Sequence, residues 1–350
     1  MLAMPIKNSM IRTAILLVAG LSMTSLNAQG LETTQAQLLG ERPNANGAST
    51  EVTVNAFVID IDEINDVRQR FNVDVFIISS WQDPRLALPE EERSGQIRTF
   101  PIDEIWTPRG LIVNDRGLSL QLPLVADVDA QGNVTQRQRM SGELAVNLDL
   151  REFPFDTQRL PIEIISYRYS PDEIRFSPQS KFGADIDEFS GEGWHFSLLD
   201  TDFSDFSVPA AGVVRPQLTF IVEAQRKTQY YLLTMFLPMS LIVFMSWTAF
   251  WIQPNVVPPR IAISTASIFS LIAFGFSIRL SLPRVSYVTR ADLFVIGCTL
   301  LVFLALAVAV IGSRWASADK LEKAVRLNAI TRWVYAGMFA IVAAAALATR

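Results

Sequence analysis

The chain has 350 residues, half of them hydrophobic, and a formal net charge of -5. A single cysteine and a single histidine leave no material for a disulfide framework, a multi-histidine metal site, or a Ser/His or Cys/His catalytic pair. The acidic residues are unevenly spread: beyond Asp205 only Glu223, Asp292, Asp319 and Glu322 remain, so one soluble domain followed by one membrane domain is implied.

In chain order, Lys7 and Arg12 precede the apolar run Ala14 to Leu21 and a small, polar stretch ending at Ala28. That is the layout of a secretory signal over residues 1–28, with a mature start near Gln29. Leu26 stands three residues before that bond, where a small side chain is preferred, so an uncleaved anchor stays open as the alternative. Either way, the domain that follows is exported.

From Glu51 to Glu223 the sequence runs in short alternating segments separated by turn residues: Val52 to Ile61, Phe71 to Trp81, Leu118 to Val125, Glu143 to Leu150, Leu160 to Tyr167, Trp194 to Leu199 and Gln217 to Val222. This pattern predicts an antiparallel β-sandwich within residues 29–227. Val73, Val75 and Ile77 alternate with Asn72, Asp74 and Phe76, so the three aliphatic residues face the core and Phe76 faces away from it. No glycine-rich phosphate loop is present. His195 reads as a satisfied or exposed strand residue, and the carboxylates Asp60 and Asp62 are the remaining candidates for enzyme chemistry.

Residues 228–350 form the membrane domain. Four runs free of charge, Gln229 to Ile252, Ile261 to Ile278, Leu293 to Ile311 and Trp333 to Thr349, approach the ~20 residues a helix needs to cross the hydrocarbon layer. They predict spans at about 229–252, 261–281, 291–312 and 330–349. The export signal puts the soluble domain outside and directs the first span inward. Arg314, Lys320, Lys323, Arg326 and Arg332 then mark a cytoplasmic connection between the third and fourth spans, Ser313 to Ala329. Arg279, Arg284 and Arg290 run against that rule, since this topology puts them outside. The second span is interrupted by Ser264, Thr265, Ser267, Ser270 and Ser277, which suits either a pore wall or close helix packing.

The landmarks Trp81-Gln-Asp83-Pro-Arg85-Leu86, Ile105-Trp106-Thr-Pro108 with Asn114, Phe153-Pro154-Phe155-Asp156, Arg226 followed by Pro238, and Leu282-Pro283-Arg284 stand in one order along the chain. In that order the chain resembles the pentameric ligand-gated ion channels, the Cys-loop receptor superfamily, in its bacterial branch. Val146 and Leu160 stand where other members carry the loop cysteines, and Arg109 stands where an aspartate is usual. The resemblance implies an all-β extracytoplasmic immunoglobulin-like sandwich followed by an all-α four-helix transmembrane bundle. It further implies a homopentamer in a bacterial inner membrane, embedded in the lipid bilayer, gated by a small-molecule or ion agonist and passing inorganic ions. No cofactor, enzyme activity or nucleic-acid partner is implied.

Residue by residue, the resemblance puts Phe76 and Tyr167 at aromatic positions of an agonist site between subunits, with Phe203 and Phe206 in a loop able to close over it. Such rings attract organic cations through their negative faces. Asp66, Asp156, Arg226 and Arg284 fall at the joint between the two domains. Aligning both ends of the second span directs Ala262, Ala266, Phe269, Ala273 and Phe276 to the pore axis and leaves the serines for contacts between subunits. The amphipathic pattern alone points Ser267, Ser270, Ser277 and Ser281 inward instead. No acidic residue lies between Ile252 and Arg260, which suits weak anion preference or poor selectivity. The alternative function is a membrane-anchored periplasmic sensor without conduction.

Overall fold

The computed structural model describes residues 40–44, 47–93, 95–279 and 285–348, with the backbone alone at 199, 200 and 279. The proposed signal peptide, Ser281, Leu282, Pro283 and Arg284 lie outside the described residues. Two sheets form the exported half. The larger contains β1 (Thr50–Asn65), β2 (Arg70–Gln82), β3 (Arg98–Pro101), β5 (Ser119–Leu120), β6 (Val125–Val128), β7 (Asn133–Ala145), β9 (Ile174–Phe176) and β10 (Phe182–Ala184). Its main path runs β10-β1-β2-β7-β6-β3, with β5 on β7 and β9 on β1. The smaller orders β11 (Trp194–Val208), β12 (Val213–Arg226), β8 (Thr157–Ser166) and β4 (Gly110–Ile112).

Alternation along the strands builds the core. Val73, Val75 and Ile77 of β2 are buried, as are Leu160, Ile162 and Ile164 of β8 and Leu218, Phe220 and Val222 of β12. These aliphatic and aromatic faces meet between the sheets, and the sandwich is what such a pattern produces when each strand has one dry face. Phe76 lies on the outer side of β2, opposite Phe57 on one neighbour and Arg139 on the other. Val146 and Leu160, at the positions of the missing cysteines, are both core residues.

The landmark residues hold this sandwich together. Asp83 accepts from the backbone N of Arg85 at 3.1 Å and from its Nε at 2.8 Å, fixing the turn after β2. Trp106 packs edge-on against Trp81 with centroids 5.7 Å apart, and its Nε1 donates to the Tyr169 hydroxyl at 2.8 Å. Asn114 donates to the carbonyls of Ala145 and Pro161, 3.0 and 2.8 Å away, and accepts from the N of Glu163. One amide thereby ties the larger sheet to the smaller.

Several boundaries differ from the sequence expectation. Strand β7 ends at Ala145, so most of Glu143 to Leu150 is not strand; Leu148 and Leu150 are buried there because that segment turns down toward the membrane half. Strand β11 runs on to Val208 and pairs with β12 as a long hairpin, with Phe203 opposite Leu218 and Phe206 opposite Arg215. Phe203 and Phe206 are therefore strand residues, not members of a loop before the last strand. Pairing with β12 satisfies their backbone groups, which alternation in so polar a segment did not reveal.

The membrane half is four helices: α1 (Gln229–Trp251), α2 (Val257–Arg279), α3 (Arg290–Ser317) and α4 (Leu321–Leu347). Pro238 has no N–H to continue the ladder of α1, and the residues before it, Leu232–Phe236, widen into a π-turn. Helices α3 and α4 extend well past their apolar cores, so the expected Ser313–Ala329 connection shrinks to the three residues 318–320, and Lys323 and Arg326 sit on a helix. Lys, Arg, Glu and Leu are good helix formers, and nothing in that stretch breaks the helix before Asp319, whose φ of 56° turns the chain.

One glycine is required by close approach. Gly142 in β7 has φ +146°, and a Cβ there would stand 2.3 Å from the carbonyl oxygen of Gly117, in the loop crossing over the sheet. Gly142→Ala is expected to destabilise the exported domain by about 1–3 kcal/mol. Thermal melts followed by tryptophan fluorescence check this, and an unchanged midpoint would show that the loop yields freely.

Candidate functional site

Arg226, the last residue of β12, is 6% exposed and lies where the sandwich meets the helices. Its Nε donates to Asp156 Oδ1 at 2.8 Å and its Nη2 to Asp156 Oδ2 at 3.1 Å. On the other side, Nη1 reaches Asp66 Oδ2 at 3.0 Å and Nη2 reaches Asp66 Oδ1 at 2.9 Å. Both carboxylates are thus held in two-point contact, the geometry that suits a planar guanidinium best. The cation also lies 4.1 Å from the Trp194 ring centroid and 4.8 Å from that of Phe153, so aromatic faces cover what the carboxylates leave open. Burial by itself would lower the Arg226 pKa, but the hydrogen bonds and charges of Asp156 and Asp66 outweigh it and hold the pKa raised.

Each partner reaches this point on a different element. Asp66 comes from the turn between β1 and β2, Asp156 from the loop before β8, and Tyr231, whose hydroxyl accepts from Arg226 Nη1 at 3.3 Å, from the first turn of α1. Gln158 donates to Asp156 Oδ2 at 2.6 Å, and the N of Arg226 donates to the Asp156 carbonyl. Three of the four predicted joint residues therefore meet in one cluster; the fourth, Arg284, lies outside the described residues.

The same loop carries contacts that sequence reasoning missed. The carbonyls of Arg151 and Phe153 accept from the backbone N of Arg290 and Ala291 at 3.1 and 3.2 Å, at the start of α3. Arg290 is ion-paired with Glu152. The Tyr287 hydroxyl accepts from the N of Leu150 at 2.9 Å, and Phe155 packs against Phe236 of α1, which packs against Phe294 of α3. The signal that pointed here was the set of arginines on the outer side of the membrane. Arg290 breaks the charge rule because it faces the exported domain and a carboxylate.

The remaining candidates are spread out. Tyr167 is half exposed, just past β8, and its carbonyl accepts from Arg215 Nε at 3.0 Å. Phe76 is on the other sheet, and the two rings do not touch within one chain. Phe203 and Phe206 are on the β11–β12 hairpin. Asp60 accepts from Ser190 and Asp62 from Asn72, so both carboxylates are engaged in structural hydrogen bonds.

On α2, Ala262, Ala266, Phe269, Ala273 and Phe276 are all exposed, with both phenylalanines at 67%. Ser264 and Ser267 are fully buried inside their own bundle, and Ser267 Oγ donates to the Ile263 carbonyl at 2.9 Å. The assignment of Ser267 to contacts between subunits is therefore corrected: with Ser264 it lets α2 pack closely on its own neighbours, whereas Ser270 and Ser277 are exposed. Arg260 also turns inward, where Nη2 donates to Asn328 Oδ1 at 2.8 Å and Gly312 leaves room for the guanidinium.

A β-sandwich ahead of four apolar helices, with a buried cluster of one arginine and two aspartates at its membrane end that Tyr231 of the first helix touches, defines a receptor-like membrane protein. Residues 39–228 match the family model described as the neurotransmitter-gated ion-channel ligand binding domain, and residues 235–332 match that of the neurotransmitter-gated ion-channel transmembrane region. The chain belongs to the neurotransmitter-gated ion-channel family, whose members are not enzymes. It is similar to the glycine receptor subunit beta of Rattus norvegicus and of Homo sapiens, each 28% identical over 273 residues, covering 76% of this chain and 55% of the relative. It is also similar to the gamma-aminobutyric acid receptor subunit beta of Caenorhabditis elegans, 28% identical over 285 residues, covering 76% of this chain and 49% of the relative. The chain spans about half the length of these relatives.

Removing the guanidinium would leave two carboxylates facing each other in a dry site. Arg226→Ala is expected to cost about 3–5 kcal/mol. A double-mutant cycle with Asp156→Ala, read from unfolding midpoints in lipid nanodiscs, should return a coupling of roughly 0.5–3 kcal/mol, and additive single effects would refute the clamp.

Proposed function

We propose that the chain is one subunit of a homopentameric ligand-gated ion channel in a bacterial inner membrane, with its sandwich on the periplasmic or extracellular side. Agonist binding between neighbouring sandwiches moves the joint at Arg226 and tilts α2, which lines the pore. The observation that carries this reading is the stripe on α2. Residues 262, 266, 269, 273 and 276 are all exposed and recur at spacings of four and three, one face of a helix, within a wider open surface that includes Ser270, Ile272 and Ser277, while the hydroxyls of Ser264 and Ser267 are turned into the bundle. Five copies of that face around an axis give two rings of phenylalanine, which hold water out until the helices move.

Charge selectivity follows from what is absent along this path. No carboxylate stands between Ile252 and Arg260, and Arg260 is spent on Asn328 inside the bundle. The mouth therefore has no carboxylate ring to attract cations, and we assign weak anion preference or poor selectivity. Sizing of the purified protein should give five subunits; a monomer or dimer would instead favour a sensor that does not conduct. Bilayer recordings should show ligand-dependent current, with Phe269→Ala raising spontaneous opening. Wild-type gating in that variant would displace the barrier from Phe269, and a reversal potential at the sodium value under a sodium chloride gradient would overturn the selectivity assignment.

The agonist site is assigned to Tyr167, Phe203 and Phe206 of one subunit facing Phe76 of the next. What supports this is that Tyr167 and Phe203 are exposed and lie with Phe206 on or beside the smaller sheet, whereas Phe76 is on the outer side of the larger one. Tyr167→Ala should weaken the agonist response by roughly 5- to 30-fold, the loss of an interaction of about 1–2 kcal/mol. Responses unaltered in both Tyr167→Ala and Phe76→Ala would place the site elsewhere.

A further inference from the structure

Arg260 enters the bundle from the first turn of α2, at the end away from the sandwich, since α1 leaves the sandwich at Gln229 and reaches this level only at Phe250. The side chain is fully buried, and its Nη2 donates to Asn328 Oδ1 at 2.8 Å. Its Nε and Nη1 have no hydrogen-bond partner. The hydroxyls of Ser264, one turn further along α2, and of Ser313 on α3 are likewise buried and unpartnered. Ser313 adjoins Gly312, where a Cβ would stand 3.3 Å from Arg260 Nη1, so an unpartnered guanidinium nitrogen is the one aimed at α3. Ser264 shares a side of α2 with Arg260, and its Cα–Cβ bond tilts back toward the start of that helix. Each of these unpartnered groups is able to donate a hydrogen bond, and all of them lie where α2 meets α3.

Nothing in the surroundings supplies negative charge. Asn328 is neutral, and its Nδ2 is engaged by the carbonyls of Phe250 and Ile252. Arg332, one turn along α4, donates to the same Phe250 carbonyl at 3.2 Å, so two cations share one network of neutral acceptors. Among the described residues no carboxylate forms an ion pair with either arginine. A guanidinium cannot shed its proton inside a protein, and a full charge removed from water is costly unless an opposite charge accompanies it. Water would satisfy the free donors and leave the charge unbalanced, whereas an anion does both. The positive end of the α2 dipole acts in the same direction. Asn328 also lines a cavity of about 400 Å³ beside the α1–α2 connection, so the guanidinium stands one side chain away from an opening.

We propose that the bundle binds a small monovalent anion such as chloride on the Arg260 guanidinium, between α2 and α3, with the hydroxyls of Ser264 and Ser313 as its further donors. The ion ties the start of α2 to α3. The site lies within one chain, so it depends neither on conduction nor on the number of subunits.

The test uses full-length protein in phosphatidylcholine nanodiscs, with sodium gluconate replaced by sodium chloride at constant ionic strength. Chloride should raise the thermal midpoint saturably, by about 2–5 °C. Arg260→Gln should remove the response, and Ser264→Ala and Ser313→Ala should each raise the half-saturating chloride concentration about tenfold. Lys323→Gln, on the exposed side of α4, should leave it unchanged. Crystals grown in sodium bromide should show an anomalous peak against the guanidinium, between α2 and α3 of each subunit. A midpoint indifferent to chloride, with no bromide peak there, would leave water as the occupant and overturn the proposal. A chloride response that survives Arg260→Gln, or one that is unchanged in both serine variants, would overturn it as well. Should Arg260→Gln fail to fold, the serine variants and the bromide peak decide the matter.

Discussion

The guanidinium of Arg226 is held between two carboxylates and two aromatic faces, and it occupies the one place where strand, loop and helix must agree. Asp66 and Asp156 belong to the sandwich, whereas Tyr231 belongs to the first membrane helix. A buried cation of this kind tolerates little rearrangement, because sliding either carboxylate by an ångström gives up a two-point contact in a medium that offers no water in exchange. The membrane end of the sandwich is thereby fixed at one point, and Tyr231 of the first helix is packed and hydrogen-bonded against it.

Around that point the loop before β8 makes a second set of contacts with the start of α3, through backbone carbonyls, the Arg290–Glu152 ion pair and a chain of aromatic rings running from Phe155 to Phe236 and Phe294. These contacts differ in character from the clamp. Glu152 is half exposed and the backbone bonds are few, so they are easier to break and remake than the buried arginine pair. A firm pivot beside a set of softer contacts is a workable physical basis for passing a displacement from a binding domain to a helix bundle.

The far end of the bundle is built on another logic. There Arg260 and Arg332 are both drawn toward the space among α1, α3 and α4 and are answered by amides, carbonyls and an indole instead of acids. The contrast follows from solvent: near the sandwich, carboxylates are supplied by exported loops, whereas the other end has few acidic residues to offer. The charges of Arg260 and Arg332 are met there by neutral polar groups and an indole.

Much of this was legible in the sequence. The period-two runs placed the dry faces of β1, β2, β8 and β12, uncharged stretches located four helices, and the family resemblance pointed to Asp66, Asp156 and Arg226. Other features depended on partners far along the chain. The β11–β12 hairpin is made by cross-strand bonds that a polar segment does not announce, and the helical reach of Lys323 and Arg326 reflects propensity beyond the apolar core. The direction of Ser267 and Arg260 was ambiguous because small polar residues on an apolar helix suit a pore, a neighbour or the bundle's own interior equally well. Residue type and spacing determined which segments are dry, which cross the membrane and which charges stand at the joint. Only the packing of α2 against its neighbours decided which of its faces is left open, because a helix has a direction for every side chain but the choice of what it turns toward belongs to the tertiary structure.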